Sequence, residues 1–179
     1  MCLAIGCTLN SGRDAAVARH RSSRKLPLML NIGEAGHRFA FITGRCGDAH
    51  IESWLRSVLD HGSVFIDVGA NIGWFSMLAG ALVGTSGRVL SFEPNPENFA
   101  LLAKSNSLNC TSNVDLFPVA LGTQPSRATL SNADQTSPLS SLRGTGDPDH
   151  SGAIVVPVEP GDTLLAQIPP SARGACKID

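Results

Sequence analysis

Residues Val64 to Ser76 read Val-Phe-Ile-Asp-Val-Gly-Ala-Asn-Ile-Gly-Trp-Phe-Ser. An apolar run ends in Asp67, a glycine-bearing turn follows, and an amphipathic stretch begins near Ile72 or Gly73. A strand, a glycine loop and a helix N-terminus in that order make a seat for a small polar ligand. The first helical amides have no intrahelical partner and carry partial positive charge. Further along, a second apolar run, Arg88 to Phe92, ends in Glu93. Two adjacent strands with acidic tips can hold a nucleoside by its ribose hydroxyls.

Strand and helix patterns alternate around this unit. Val64 to Val68 is apolar except for Asp67, the pattern of a parallel strand buried on both faces. Phe75, Leu78, Ala79 and Leu82 recur at helical spacing and predict a helix that Gly84 and Gly87 end. Pro94 stops the strand at Arg88 to Phe92. Asn95 is a good N-cap, Pro96 suits the first helical position, and Glu97 lies near the positive helix end. This helix carries Phe99, Leu102 and Ala103 and stops around 106–109, and a third core strand falls within Val114 to Leu121.

Beyond Gly122 the pattern weakens. Ala128 to Leu130 and Ala153 to Val158 read as strands, with a polar Gly/Pro/Ser-rich exposed loop between them. Asp162 is placed to cap a short helix through Ile168, and Ala175 to Asp179 reads as the start of a strand tipped with an aspartate. Upstream, Leu26 to Thr43 reads as a small β-hairpin turning at Glu34-Ala35-Gly36. His50 to Leu59 reads as a helix with Ile51, Trp54, Leu55 and Val58 on one face. Residues 1–25 read as an irregular leader, basic through Arg13, Arg19, Arg21, Arg24 and Lys25, and 26–179 as one domain.

Composition narrows the function classes. With 179 residues, 42% hydrophobic and 16% charged, the chain is globular and long enough for one real core. A formal net charge of -1 gives no broad attraction to nucleic acid, and no nucleic-acid partner is expected. No apolar stretch reaches the roughly 20 residues that span a bilayer, and no signal peptide is read, so a cytoplasmic protein is expected. The five cysteines lack paired spacing, which argues against a zinc site or a disulfide framework. The five histidines fall in polar or turn contexts with no two at metal-ligand spacing, so they read as surface residues and no metal is expected.

The acidic tips alone leave two cofactors open, a nicotinamide dinucleotide and S-adenosylmethionine. A dinucleotide site favours G-x-G-x-x-G, which brings a helix N-terminus to a pyrophosphate. Here Gly69-Ala70-Asn71-Ile72-Gly73 lacks the first glycine pair of that fingerprint, which counts against the dinucleotide.

Four ordered blocks carry a family resemblance: Asp67-Val68-Gly69-Ala70-Asn71-Ile72-Gly73, Phe92-Glu93-Pro94-Asn95, Val119-Ala120-Leu121-Gly122 and Lys177-Ile178-Asp179. Together they resemble the FkbM-type methyltransferases, class I enzymes dependent on S-adenosylmethionine. The resemblance implies an α/β fold with a Rossmann-like class I methyltransferase sheet. The strands would run in the order 3-2-1-4, the later strands would be missing, and a small β-hairpin would precede the core. The family's Lys-Ile-Asp is usually followed by Val-Glu-Gly, so the chain reads as the N-terminal part of such a domain. The resemblance also places the cofactor contacts. Asp67, Gly69, Asn71 and Gly73, with Ala70 between them, would surround the methionine part. Glu93 would take the ribose, and Pro94, Asn95, Ala120 and Leu121 would flank the adenine. Asp179 would lie near the amino end or the transferred methyl.

Blander roles compete at several positions. Asp67 can cap the loop through backbone amides, Asn95 can act as a helix cap alone, Ser76 can bond local backbone, and Trp74 can simply pack. The function expected is methyl transfer to a hydroxyl of a sugar, glycoconjugate or natural product, with a small-molecule or glycan acceptor and an unassigned general base. The alternatives are an NAD(P)-binding oxidoreductase and a non-catalytic cofactor-binding fragment.

Overall fold

The structure, a computed structural model, describes residues 17–21, 26–45, 48–131, 141–143 and 153–179. Its central layer is a parallel sheet of β3 (Val64–Val68), β4 (Arg88–Phe92), β5 (Val114–Phe117) and β10 (Gly174–Ile178). The spatial order is β10-β3-β4-β5, every neighbouring pair being parallel. In chain order this is the expected 3-2-1-4 arrangement of a Rossmann-like sheet. The chain runs from β3 through β4 to β5 in one direction, so right-handed crossovers put α3 (Trp74–Val83) and α4 (Pro96–Asn109) on the same face.

Burial differs between the two central strands. Val89, Leu90 and Phe92 of β4 are fully buried, as an inner strand covered on both faces requires. In β3 only Phe65 and Asp67 are buried, while Val64, Ile66 and Val68 are half-buried. The expectation that β3 is buried on both faces therefore fails on one side, and the strand covered on both faces is β4. Helix α3 is buried nearly all round, from Trp74 to Gly80 and again at Val83, because it lies between the sheet and α2 (Ala49–Val58). Helix α4 follows the expected local rules. The Asn95 side-chain oxygen accepts the Glu97 N–H at 2.9 Å, and Pro96 occupies the first turn.

The N-terminal segment departs from expectation. A hairpin does precede the core, but its strands are β1 (Val17–Arg21) and β2 (Pro27–Asn31), paired antiparallel. One strand thus lies within the stretch read as an irregular leader. The predicted second arm is instead α1 (Ala35–Thr43). The reason is periodicity: His37 and Ala40, three residues apart, are the buried positions, and Gly44 closes the helix in a left-handed conformation. Strand β2 rests on α4, where the Met29 N–H donates to Ser105 Oγ at 2.9 Å and Asn109 Nδ2 donates to the Pro27 carbonyl at 2.8 Å. Helix α2 forms as predicted, yet Trp54 and Val58 of its apolar face remain exposed and Leu55 alone is fully buried.

The third expected core strand, Val114 to Leu121, divides in two. Its first half is β5; its second half, β6 (Ala120–Gly122), enters a separate sheet in the order β6-β9-β7-β8. The other members are β7 (Ser126–Ser131), β8 (Ser141–Arg143) and β9 (Ile154–Pro160). Pro118 between the two halves cannot donate to a ladder, which fits a break there. Pro160 is the N-cap of helix α5 (Gly161–Leu165), and Asp162 lies in its first turn without capping it. Among the described residues no helix is long and apolar enough to cross a membrane.

Two glycines probe this packing from opposite sides. Gly73 adopts φ +87°, and a Cβ there would lie 2.4 Å from Leu102 Cδ1 in the core. Gly36 lies in α1 with no atom within 4 Å of its would-be Cβ. Gly73→Ala is expected to lower the unfolding free energy by about 1–3 kcal/mol, through left-handed strain and overpacking. Gly36→Ala is expected to raise it by about 0.5–1 kcal/mol, through helix propensity. Urea unfolding of the two variants checks both signs.

Candidate functional site

The carboxyl ends of the four parallel strands converge on the turn at Gly69 to Gly73. The Gly69 and Ala70 N–H groups both donate to the Phe92 carbonyl at 2.9 Å, which draws the turn over the end of β4. Gly69, Asn71 and Gly73 all have positive φ (76°, 52° and 87°). Three such residues reverse the chain within a few positions and aim it into α3. No side chain caps α3 at Gly73, so the first-turn amides keep their capacity for an acceptor from outside.

Glu93, at the tip of β4, is 5% exposed. One carboxylate oxygen accepts the Asn71 N–H at 2.7 Å and the other the Asn95 N–H at 2.8 Å. The side chain thus holds together the turn after β3 and the turn after β4. An ionised carboxylate has about four acceptor positions, so two remain for a ligand. Burial raises the Glu93 carboxyl above the ordinary glutamate range, against the opposing effect of the Asn95 and Asn71 amides. Pro94 is half-buried beside it, and Asn95 acts as the cap of α4.

Beneath the turn lies a buried polar chain. Asp67 is fully buried. One of its oxygens accepts from Ser76 Oγ at 2.6 Å, and Ser76 Oγ in turn accepts from Ser91 Oγ at 2.9 Å. The other oxygen lies 3.3 Å from Lys177 Nζ. The partners of Asp67 are therefore side chains on α3 and β10 and not backbone amides, and Ser76 bonds Asp67 and not local backbone. Trp74 packs in the core.

Lys177 is the group that sequence reasoning passed over. Its Nζ meets Asp67 at 3.3 Å, the Gly69 carbonyl at 3.2 Å and Asp179 Oδ2 at 2.6 Å, and lies 5.5 Å above the Phe75 ring. Burial raises the Asp67 carboxyl and works against the Lys177 charge, yet Asp67 and Asp179 together outweigh burial and hold the ammonium above its ordinary range. The geometry decides the charge state. Each Asp67 oxygen meets a donor and Nζ meets three oxygens, the arrangement of carboxylate with ammonium. A lysine within an otherwise apolar strand was the available signal. Its partner emerges only from the register that sets Lys177 opposite Asp67.

The turn at Gly69 faces the end of β10. A Cβ there would lie 3.1 Å from the Asp179 Cβ, so the bare backbone lets Asp179 close against the turn. The Asp179 N–H donates to the Val68 carbonyl at 3.1 Å, and its exposed carboxylate stands beside Lys177. Ala120 and Leu121 lie on β6, paired with Val158 and Glu159 of the second sheet. They are linked to the site through Phe117, whose carbonyl accepts the Glu93 N–H at 3.0 Å and whose ring stacks on Phe92. His37, read as a surface residue, is 7% exposed and reaches Asn71.

Residues 67–178 match the methyltransferase FkbM domain. The chain belongs to the FkbM methyltransferase family. The family's methyl donor is S-adenosylmethionine, and the nicotinamide alternative finds no support. Solved structures similar to this chain include an rRNA methylase from Streptococcus thermophilus (20% identity, TM-score 0.36, covering 40% of this chain and 39% of that one). Trm5b from Pyrococcus abyssi shows 19% identity and a TM-score of 0.45 over 63% of this chain and 34% of its own. TYW2 from M. jannaschii, in complex with AdoMet, shows 19% identity and a TM-score of 0.43 over 61% and 45%. The chain spans less than half the length of each of these structures. No curated protein matches it.

The Lys177 contacts yield a stability prediction. Lys177→Met leaves Asp67 buried without its counter-charge and is expected to cost about 3–5 kcal/mol, with Asp67→Asn in the same background recovering much of the loss. The native Lys177 binds its proton more tightly than the unfolded chain does. Its stabilisation is therefore complete below the unfolded value of about 10.4 and is lost as pH rises through the higher native one. Denaturant titrations at alkaline pH are expected to show that decline in the unaltered chain and not in Lys177→Met.

Proposed function

We propose that this chain binds S-adenosylmethionine across the tips of β3, β4 and β10 and serves methyl transfer to a hydroxyl of a sugar, glycoconjugate or natural product. The observation that carries the reading is Glu93. Its carboxylate is buried at a strand tip, is fixed by two backbone amides, and retains acceptor capacity. That is what two ribose hydroxyls require, and the uncapped start of α3 beside it suits the carboxylate of an amino acid. The residues present therefore fit the cofactor.

When bound, S-adenosylmethionine supplies a methyl group already activated on a sulfonium. The protein's task is then alignment and exclusion of water more than chemical activation. Glu93 orients the nucleoside end by accepting its hydroxyls. Gly69, Ala70, Asn71 and Gly73 shape the turn against which the amino-acid end rests, and Asp67 holds that turn from below through Ser76 and Lys177. Pro94, Asn95, Ala120 and Leu121 border the base. Asp179, exposed and paired with Lys177, stands where a cationic amino group is accommodated. A small-molecule or glycan acceptor suits a chain whose net charge is near neutral. Residues 26–179 act in this reading as the donor-binding part of the enzyme, with 1–25 outside it.

Calorimetric titration with S-adenosylmethionine tests the assignment. Glu93→Ala is expected to weaken binding about 10- to 100-fold, the loss of hydrogen bonds to a charged group worth about 1.5–3 kcal/mol. Unchanged affinity would refute the ribose role. Ribose recognition uses the ionised carboxylate, whose protonation sets in above the ordinary glutamate value of about 4.3 because burial raises it. Affinity is accordingly expected to fall as pH is lowered towards that range, and Glu93→Gln to flatten the profile.

A further inference from the structure

Asn71 is a non-glycine residue at φ 52° in the middle of the cofactor turn. Asparagine is one of the few side-chain-bearing residues that adopts this conformation, and its surroundings hold it there. Two groups do so. Glu93 accepts its N–H at 2.7 Å, and His37 Nε2 lies 3.4 Å from its side-chain Oδ1. The Asn31 N–H donates to His37 Nδ1 at 3.3 Å, so the proton of the neutral ring resides on Nε2, which donates to Asn71. The ring is held in turn by the turn before α1. Asn31 Oδ1 accepts the Gly33 N–H at 3.0 Å, and Asn31 Nδ2 donates to Glu34 Oε1 at 3.5 Å, which fixes the backbone whose N–H meets Nδ1.

His37 lies outside the stretch that matches the family domain. Nothing in the cofactor role of the turn demands an imidazole at this place, yet a buried one is aimed at the side chain of Asn71, one of the two residues whose backbone amides brace Glu93. We propose that His37 is a positioning residue of the donor site. By donating to Asn71 Oδ1 it holds Asn71 in the left-handed turn, keeps the Asn71 N–H on Glu93, and makes the β2–α1 segment part of the cofactor seat. The proposal rests on the reading of Glu93 and the turn as that seat.

The test uses the whole 179-residue chain. S-adenosylhomocysteine is titrated calorimetrically into the unaltered protein, His37→Phe and His37→Gln, and hydrogen exchange is followed over residues 69–73. Phe fills the space of the ring without a donor; Gln keeps an N–H. Positioning through the hydrogen bond predicts that Phe weakens binding about three- to tenfold and speeds exchange in the turn, while Gln stays close to the unaltered protein. A role in packing alone predicts the reverse order. The proposal is overturned if His37→Phe binds as the unaltered chain does, or if Gln loses as much as Phe. If the unaltered chain binds no S-adenosylhomocysteine, the donor-site reading itself falls and takes this proposal with it. Should His37→Phe not fold, His37→Leu takes its place; it too lacks a donor and carries the same expectations.

Discussion

An ammonium group enclosed by three oxygens organises this structure. Stripping a lysine of water costs several kcal/mol, and the cost is offset only where geometry and hydrogen bonds are good. Lys177 meets that condition through Asp67, the Gly69 carbonyl and Asp179. The network continues past the charges. Asp67 receives Ser76 from the first turn of α3, and Ser76 receives Ser91 from β4. Three strands, one helix and Asp179 are thus tied by a polar thread through an otherwise apolar core that includes Phe65, Val89, Leu90 and Phe92. Apolar packing alone tolerates small slips of one element over another. A chain of directional bonds does not, and here it fixes where the turn after β3 sits.

Glu93 does on the upper side of that turn what Lys177 does below. Both are charged groups placed in protein and not in water, and both are held by groups from more than one segment. The division of labour is physical. Lys177 has its donors met within the fold, whereas Glu93 spends two acceptor positions on the Asn71 and Asn95 amides and keeps the rest. A fully satisfied ion is a fastener; a partly satisfied one is a receptor. This contrast separates Asp67, whose two oxygens are met by side chains inside the fold, from Glu93, which keeps acceptor positions open, although both tip apolar runs and look alike in sequence.

What was legible in the sequence was what depends on near neighbours. Alternation of apolar runs with helical spacing located β3, β4, α3 and α4, and Asn95-Pro96-Glu97 marked the start of α4 because capping acts over three residues. The order of the parallel strands followed from the family blocks. What escaped was set at a distance. His37 looked like a turn histidine until α1 replaced the expected hairpin arm and carried it inward to Asn71. Ser76 looked local until Asp67 lay beneath it. The split at Pro118 was visible as a residue but not as a change of sheet, since pairing with Val158 and Glu159 decides where β6 goes. Lys177 is visible in sequence as part of a motif, but its partner is set by the register of β10 against β3.

The separation of 110 positions between Lys177 and Asp67 also bears on how the molecule assembles. Contacts this remote in sequence close late, because their loop entropy must be met before they contribute. During synthesis β3, its turn and α3 emerge long before β10 exists to neutralise Asp67. The nascent turn therefore lacks its cationic anchor until β10 has been made, and docking of that strand, more than collapse of the core, is the event that sets the turn in place.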